Sequence, residues 1–223
     1  MQIDIKGIAK RFSKKRVLTD VTFSAKSGEC IGILGGNGCG KSTLLSILAG
    51  VQSCQTGEFL CDGRDLFKRG IDRSSVVGYI PQGTPLIEEL TAWDNLSLWY
   101  EKDALRAELE SGVLHLLGIH EFIKTPVSKM SGGMKKRLSI GCAIAKHPPV
   151  LLLDEPMAAL DLACKQEISA YLRAHKKAGG ILLLVTHDVM ELELCDRCYI
   201  LKDGALQPFV YDGDLDNLVK SLS

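Results

Sequence analysis

The chain is 223 residues long, 46% hydrophobic and 24% charged, with 27 basic and 27 acidic residues. That length suits one domain, and a formal net charge of zero gives no bulk electrostatic case for nucleic acid or an anionic membrane surface. The longest apolar runs, Ile181 to Val185 and Val150 to Leu153, fall far short of the roughly 18–20 residues of a membrane helix, and Met1 to Lys10 lacks a signal-peptide pattern. The sequence reads as soluble and cytosolic.

In chain order, Ile3 and Ile5, then Val21 and Phe23, alternate with polar residues as half-buried strands do, and the polar break from Ser13 to Arg16 suits a hairpin. Cys30 to Leu34 is a continuous apolar run ending in glycines, the pattern of a strand buried on both faces. Leu44, Leu45, Ile47 and Leu48 follow with helical character and stop at Gly50. Glu58 to Cys61 and Val76 to Ile80 read as short strands separated by the Asp62-Gly63 turn. From Leu90 to Gly118 the pattern is helical, with Trp93, Leu96, Leu98 and Trp99, then Leu105, Leu109, Val113, Leu116 and Leu117 at the apolar positions. Another helix is predicted from near Ser131 to Lys146, ended by Pro148-Pro149. Two buried-strand runs, Val150 to Leu153 and Ile181 to Val185, then flank a helix from about Asp161 to Lys177, and Tyr199 to Leu201 is a further apolar strand. The β-α-β alternation predicts an α/β fold with a mostly parallel core sheet. Residues from about 83 to 147 read as a helical insertion into a single domain spanning 1–223.

Eight cysteines are scattered through a chain too large to need a disulfide framework. Cys195 and Cys198 have CxxC spacing, but no second CxxC or HxxxH accompanies them, and helix precedes strand, the reverse of a thioredoxin-like order. They read as structural, reduced thiols.

Gly35-Gly36-Asn37-Gly38-Cys39-Gly40-Lys41-Ser42, followed by Thr43, fits G-x-x-x-x-G-K-[ST] in full, with an apolar strand before it and a helix after. Glycines let successive backbone N–H groups turn inward around a phosphate, and the N-terminus of the following helix faces the same anion. Lys41 is expected on the β- and γ-phosphates and Ser42 on Mg2+. Cys39 lies at the positive end of that helix, beside Lys41, where a thiolate is favoured; the plainer reading is a small side chain the loop tolerates. Nucleotide binding follows. Asp154-Glu155 ends the apolar run from Val150, where a parallel sheet opens its ligand crevice. Alone, two carboxylates there could simply begin a loop. Beside a complete phosphate loop, Asp154 is expected in the Mg2+ shell and Glu155 on the attacking water.

Met130-Ser131-Gly132-Gly133-Met134, some twenty residues before the acidic pair, resembles the LSGGQ signature of the ABC ATPases. Ser131 and two glycines at a helix start make a second anion-binding turn without a lysine. The resemblance implies an α/β P-loop NTPase with an antiparallel β subdomain and an inserted helical subdomain. It also implies that Ser131, Gly132, Gly133 and Met134 close over the nucleotide of another subunit, in a two-fold, head-to-tail dimer with a second copy or a paralogous ATPase. Other positions are similar to the family's. Gln82 resembles the glutamine that lies near Mg2+ and couples to the membrane subunit, and Ala159-Leu160-Asp161 the loop that crosses the dimer. His187, in Thr186-His187-Asp188, resembles the switch histidine on the γ-phosphate, Phe12 the aromatic stacked on adenine, and Val17 its small apolar neighbour. Met134 departs from the usual glutamine and removes an amide that could reach the opposite ribose. Leu86 to Leu96 resembles a segment common in bacterial exporters. Together these imply an ATP-hydrolysing subunit, peripheral on the inner face of the cell membrane, that drives a separate transmembrane permease, with an exporter expected, an importer left open, and no nucleic acid partner. A soluble regulatory or ribosome-acting ATPase of the same family is the alternative.

Overall fold

The computed structural model describes residues 1–13, 15–158, 160–186 and 188–211. Strands β1 (Gln2–Phe12) and β2 (Lys15–Lys26) form the N-terminal hairpin; β3 (Cys30–Leu34) leads into α1 (Lys41–Leu48). After these come β4 (Thr56–Cys61), β5 (Arg64–Asp65) and β6 (Val77–Ile80). Helices α2 (Ala92–Ser97), α3 (Lys102–Ser111), α4 (Val113–Leu116) and α5 (Gly132–Ala143) fill the span before β7 (Val150–Asp154). Then follow α6 (Leu162–Lys177), β8 (Ile181–Val185), α7 (Val189–Leu192), β9 (Arg197–Lys202) and β10 (Ala205–Phe209).

All the described strands join one sheet in the order β5-β4-β1-β2-β10-β9-β3-β8-β7-β6. The β9-β3-β8-β7-β6 half is parallel, and the β5-β4-β1-β2 half is antiparallel. Between them β10 runs antiparallel to β9 and meets β2 in parallel at Ala205 and Asp20.

The apolar runs are continuous because the parallel strands have a core on each face, and successive side chains alternate between them. From β7, Leu151 and Leu153 enter the core under α5 and α6, while Val150 and Leu152 enter the one under α1. Strand β8 does the same, with Leu182 and Leu184 on one side and Ile181, Leu183 and Val185 on the other.

Three departures from the sequence reading have physical reasons. The Asp62-Gly63 turn, with φ of 47° and 78°, closes the short β4–β5 hairpin, whereas β6 lies at the opposite sheet edge beside β7. A two-residue turn joins only antiparallel neighbours; a parallel partner needs a long crossover. Strand β10 was not expected, yet Asp203-Gly204 makes the same kind of turn, with φ of 51° and 78°, between Lys202 and Ala205. Lastly, α2 stops at Ser97, so Leu98 and Trp99 leave its buried face and are 59% and 60% exposed.

The helical span is fastened to the core by Arg137 of α5. Its Nη1 donates to Leu117 O (3.2 Å) and to Glu167 Oε2 on α6 (2.7 Å), and its guanidinium lies over the Phe122 ring. Because the arginine has two further partners, the pair's loss is asymmetric. Arg137→Ala should lower unfolding stability by about 2 kcal/mol, against less than about 1 kcal/mol for Glu167→Gln, whose loss leaves the other contacts in place. Urea unfolding of the two variants checks the ranking.

Candidate functional site

Four loops leave the C-terminal ends of adjacent parallel strands: the glycine loop after β3, Thr186 after β8, Asp154-Glu155 at β7 and Pro81-Gln82 after β6. Pairing of Ile33 with Val185, Val185 with Asp154, and Leu153 with Ile80 aligns those ends. At roughly 4.8 Å per strand the row spans only about 15 Å. Sequence-distant residues therefore share one crevice.

The glycine loop is a fixed wrap. Gly35 has a φ of 149° and no room for a side chain: a Cβ there would lie 2.7 Å from Leu201 O and 2.8 Å from Cys39 Sγ. Gly40, with a φ of 116°, is pressed against Val17, whose Cγ1 would be 2.8 Å from such a Cβ. Cys39 is thus turned back against the loop, and Val17 braces its far side. Lys41 is 7% exposed, and its Nζ donates to Gly35 O (2.6 Å) and Gly36 O (3.1 Å). The loop's own carbonyls hold the cation where an anion would be wrapped, while Gly36, Asn37 and Gly38 face solvent. Beside them is a cavity of about 470 Å3 whose lining includes Lys15, Arg16, Val17 and Lys202.

Asp154 is 2% exposed and hydrogen-bonded to the Ser42 hydroxyl, and its Oδ1 is buried without a hydrogen-bond partner. Burial pushes its carboxyl pKa up; the Ser42 hydrogen bond and the charges of Lys136 and Lys41 pull the other way. A buried carboxylate oxygen with an open lone pair, next to a serine hydroxyl at the head of α1, is a donor set that fits Mg2+. Glu155 follows with a φ of 47°, a left-handed backbone that costs a non-glycine residue about 1–2 kcal/mol, and its N–H bonded to Val185 O (2.9 Å) holds it there. This kink separates two adjacent carboxylates: Asp154 is buried, and Glu155 is partly exposed, where Gln82 Nε2 donates to its Oε2 (2.9 Å). The structure brings Gln82 onto the acidic pair as expected, but through Glu155.

Other expected residues stand further off. Phe12 is 46% exposed at the end of β1, with Lys10 Nζ 5.0 Å from its ring centroid. Ser131 caps α5, its Oγ accepting from Met134 N (3.2 Å), and Ser131 and Gly132 are exposed. The Met134 side chain, however, packs against its own core beneath α5. Asp161 caps α6 by accepting from Cys164 N (2.8 Å). His187 and Ala159 lie outside the described residues.

Two buried charged residues escaped the sequence reading. Lys136 is 4% exposed and donates to Pro81 O (2.7 Å) and Gln82 O (3.3 Å). Lys136, Ile140 and Ile144 share a buried helical stripe. Glu191 is 1% exposed; its Oε1 accepts from Met157 N (2.9 Å), and it is hydrogen-bonded to Thr186, which ties the segment after Glu155 to the one after β8. Burial raises its pKa from 4.5 to about 7 against these hydrogen bonds, with Asp188 adding to the rise and Lys165 opposing it.

Folding raises the Glu191 pKa, so the folded chain keeps a proton that the unfolded chain has released across this window. The penalty is absent below pH 4.5 and complete above about pH 7, where it reaches about 3 kcal/mol. Glu191→Gln keeps an acceptor for Met157 N without the charge. Its stability relative to the unsubstituted chain should be unchanged at pH 4.5 and increase steadily to pH 8, which thermal melts across that range would measure.

The chain is similar to known proteins in sequence and in fold. Residues 18–158 match the family described as ABC transporter. Over 212 residues the chain is 36% identical to the spermidine/putrescine import ATP-binding protein PotA of Spiroplasma citri, covering 92% of this chain and 60% of that protein. It is 32% identical to the sulfate/thiosulfate import ATP-binding protein CysA of Bordetella parapertussis, covering 98% and 69%. A solved dimeric ATP-binding cassette in a post-hydrolysis state with ADP and phosphate superposes with a TM-score of 0.80 at 27% identity, covering 92% of this chain and 96% of that one. Both named relatives are import proteins, which corrects the exporter expectation drawn from residues 86–96. Local structure accounts for that segment: Thr91 and Asp94 form a capping box at α2, and buried Asn95 bonds Ile87 N, Ile87 O and Thr91 O. With the phosphate wrap, the buried aspartate and the Gln82–Glu155 pair all at one row of strand ends, and a family model matching 18–158, the chain belongs to the ABC transporter family.

Proposed function

We propose that this cassette powers uptake through a separate transmembrane permease, working as a two-fold dimer with two ATP at its interface. The observation that carries the reading is the exposed turn Ser131-Gly132 at the head of α5: a second anion-binding turn with nothing within 4 Å of a Cβ at Gly132. It suits a phosphate presented by another subunit. The dimeric assembly of the solved cassette and the names of the import relatives support the same reading. Residues 83–147 serve in it as a helical subdomain facing the permease, with exposed Leu98 and Trp99 as apolar contacts. The cassette then sits in the cytoplasm, against the inner face of the membrane.

In this scheme Lys41 exchanges the Gly35 and Gly36 carbonyls for the phosphates of ATP. Asp154 and Ser42 hold Mg2+, which supplies charge neutralisation at the phosphates. Glu155, aimed by its own kink and by Gln82, orients and accepts a proton from the attacking water. Met134 offers no amide across the interface, so Ser131 and the Gly133 backbone carry the contact in trans.

Two measurements test the scheme. Glu155→Gln should keep ATP binding, lower turnover by at least about 100-fold, and accumulate as an ATP-bound dimer on size exclusion. Turnover at the unsubstituted rate would remove Glu155 from the chemistry. Tagged protein incubated with detergent-solubilised membranes of its source cell should retain a polytopic membrane protein; retention of ribosomes or soluble proteins alone would instead favour a soluble ATPase.

A further inference from the structure

The Lys136 ammonium is buried, yet it is directed at main-chain carbonyls beneath Gln82. Nζ donates to Pro81 O and Gln82 O, while Asp154, Glu155 and Glu191 are near enough to favour its charge against the burial that lowers its pKa. Holding a lysine in such a place is expensive, and the two carbonyls belong to the loop that presents Gln82 to Glu155. The other end of the connection is equally defined. Lys136 is five residues beyond Ser131 on α5, about 7.5 Å along one rigid helix. A displacement of the Ser131 turn is therefore carried by the helix to the ammonium, and from there to the Pro81-Gln82 backbone.

We propose that Lys136 is a positioning residue for hydrolysis, holding Gln82 against Glu155 and linking that pair to the anion-binding turn at the head of its own helix. Its hydrogen bonds go to the main chain of Pro81 and Gln82. Its effect is to make the Gln82–Glu155 contact depend on where α5 sits, so that a phosphate seated on Ser131 is sensed at the adjacent catalytic pair. The inference rests on the proposed trans role of that turn only for its last link; the hold on Gln82 stands on the hydrogen bonds alone.

The test is a set of variants assayed for kcat, for KM, and for Kd with a fluorescent ATP analogue and Mg2+. Lys136→Met keeps the buried chain length and removes the donor. It should lower kcat tenfold or more while Kd stays within twofold, and Lys136→Arg should restore at least half the rate. Lys136→Met and Gln82→Ala should not multiply, because both break one connection: the double variant should be no more than twofold slower than the slower single one. Unchanged kcat in Lys136→Met, multiplying effects, or no rescue by arginine would overturn the proposal, since a purely structural lysine would change the melting temperature without this pattern. If the methionine variant does not fold, Lys136→Gln, shorter and uncharged, must show the same separation of kcat from Kd. An unsubstituted protein without ATPase activity would refute the hydrolytic reading itself, a result distinct from a failure of Lys136.

Discussion

Everything at this site depends on the register of four parallel strands. Because β3, β8, β7 and β6 are neighbours and end together, the glycine loop, Asp154, Glu155 and Gln82 arrive side by side. The strands that carry them are held by backbone hydrogen bonds inside a doubly covered sheet, so the ends of the row are fixed relative to one another. A one-residue slip of β7 would exchange its two cores and turn Asp154 away from the crevice. The apolar runs that look merely hydrophobic are thus the devices that fix the geometry of the candidate site.

The buried charges around this row are arranged by depth. Asp154 is buried with an open oxygen, and Glu155 is lifted toward solvent by its own left-handed backbone. Lys136 and Glu191 sit behind them and spend their hydrogen bonds on the backbones of the Gln82 and Met157 segments. Two neighbouring carboxylates can then take different tasks because their surroundings differ, not their chemistry.

Much of this was legible in the sequence, and the reasons are local. Cys30–Leu34 and Ile181–Val185 were read to the residue because a strand buried on both faces leaves an unbroken apolar run bounded by polar or glycine residues. The phosphate loop and acidic pair were readable because their chemistry tolerates few substitutes. What escaped was nonlocal. Strand β10 pairs with β9 and β2 through backbone, with Pro208 in its sequence working against a strand reading, although Asp203-Gly204 marked the turn. Lys136 and Glu191 were missed because their partners are main-chain atoms 55 and 34 residues away in sequence, which no spacing reveals. Leu86–Leu96 misled for the opposite reason. Its pattern is dictated by a helix cap and a buried asparagine, and those demands are indifferent to the direction of transport.

The ten-stranded sheet is continuous on paper but uneven in strength. Each half is a ladder of many backbone bonds, whereas the described line between β2 and β10 has Ala205 opposite Asp20, with Thr19 N bonded to Gly204 O (2.8 Å). Side chains cross the same line at several points: Gly40 is pressed on Val17, the Phe23 and Tyr199 rings lie 6.0 Å apart, and Arg197 Nη2 donates to Ser24 O (2.6 Å). Where the backbone ladder is thin, side chains take over: Ile3, Val21 and Phe23 of the antiparallel half share one buried core with Ile31, Leu152 and Leu183 of the parallel half, so the phosphate loop and its brace are held together by packing rather than by strand pairing.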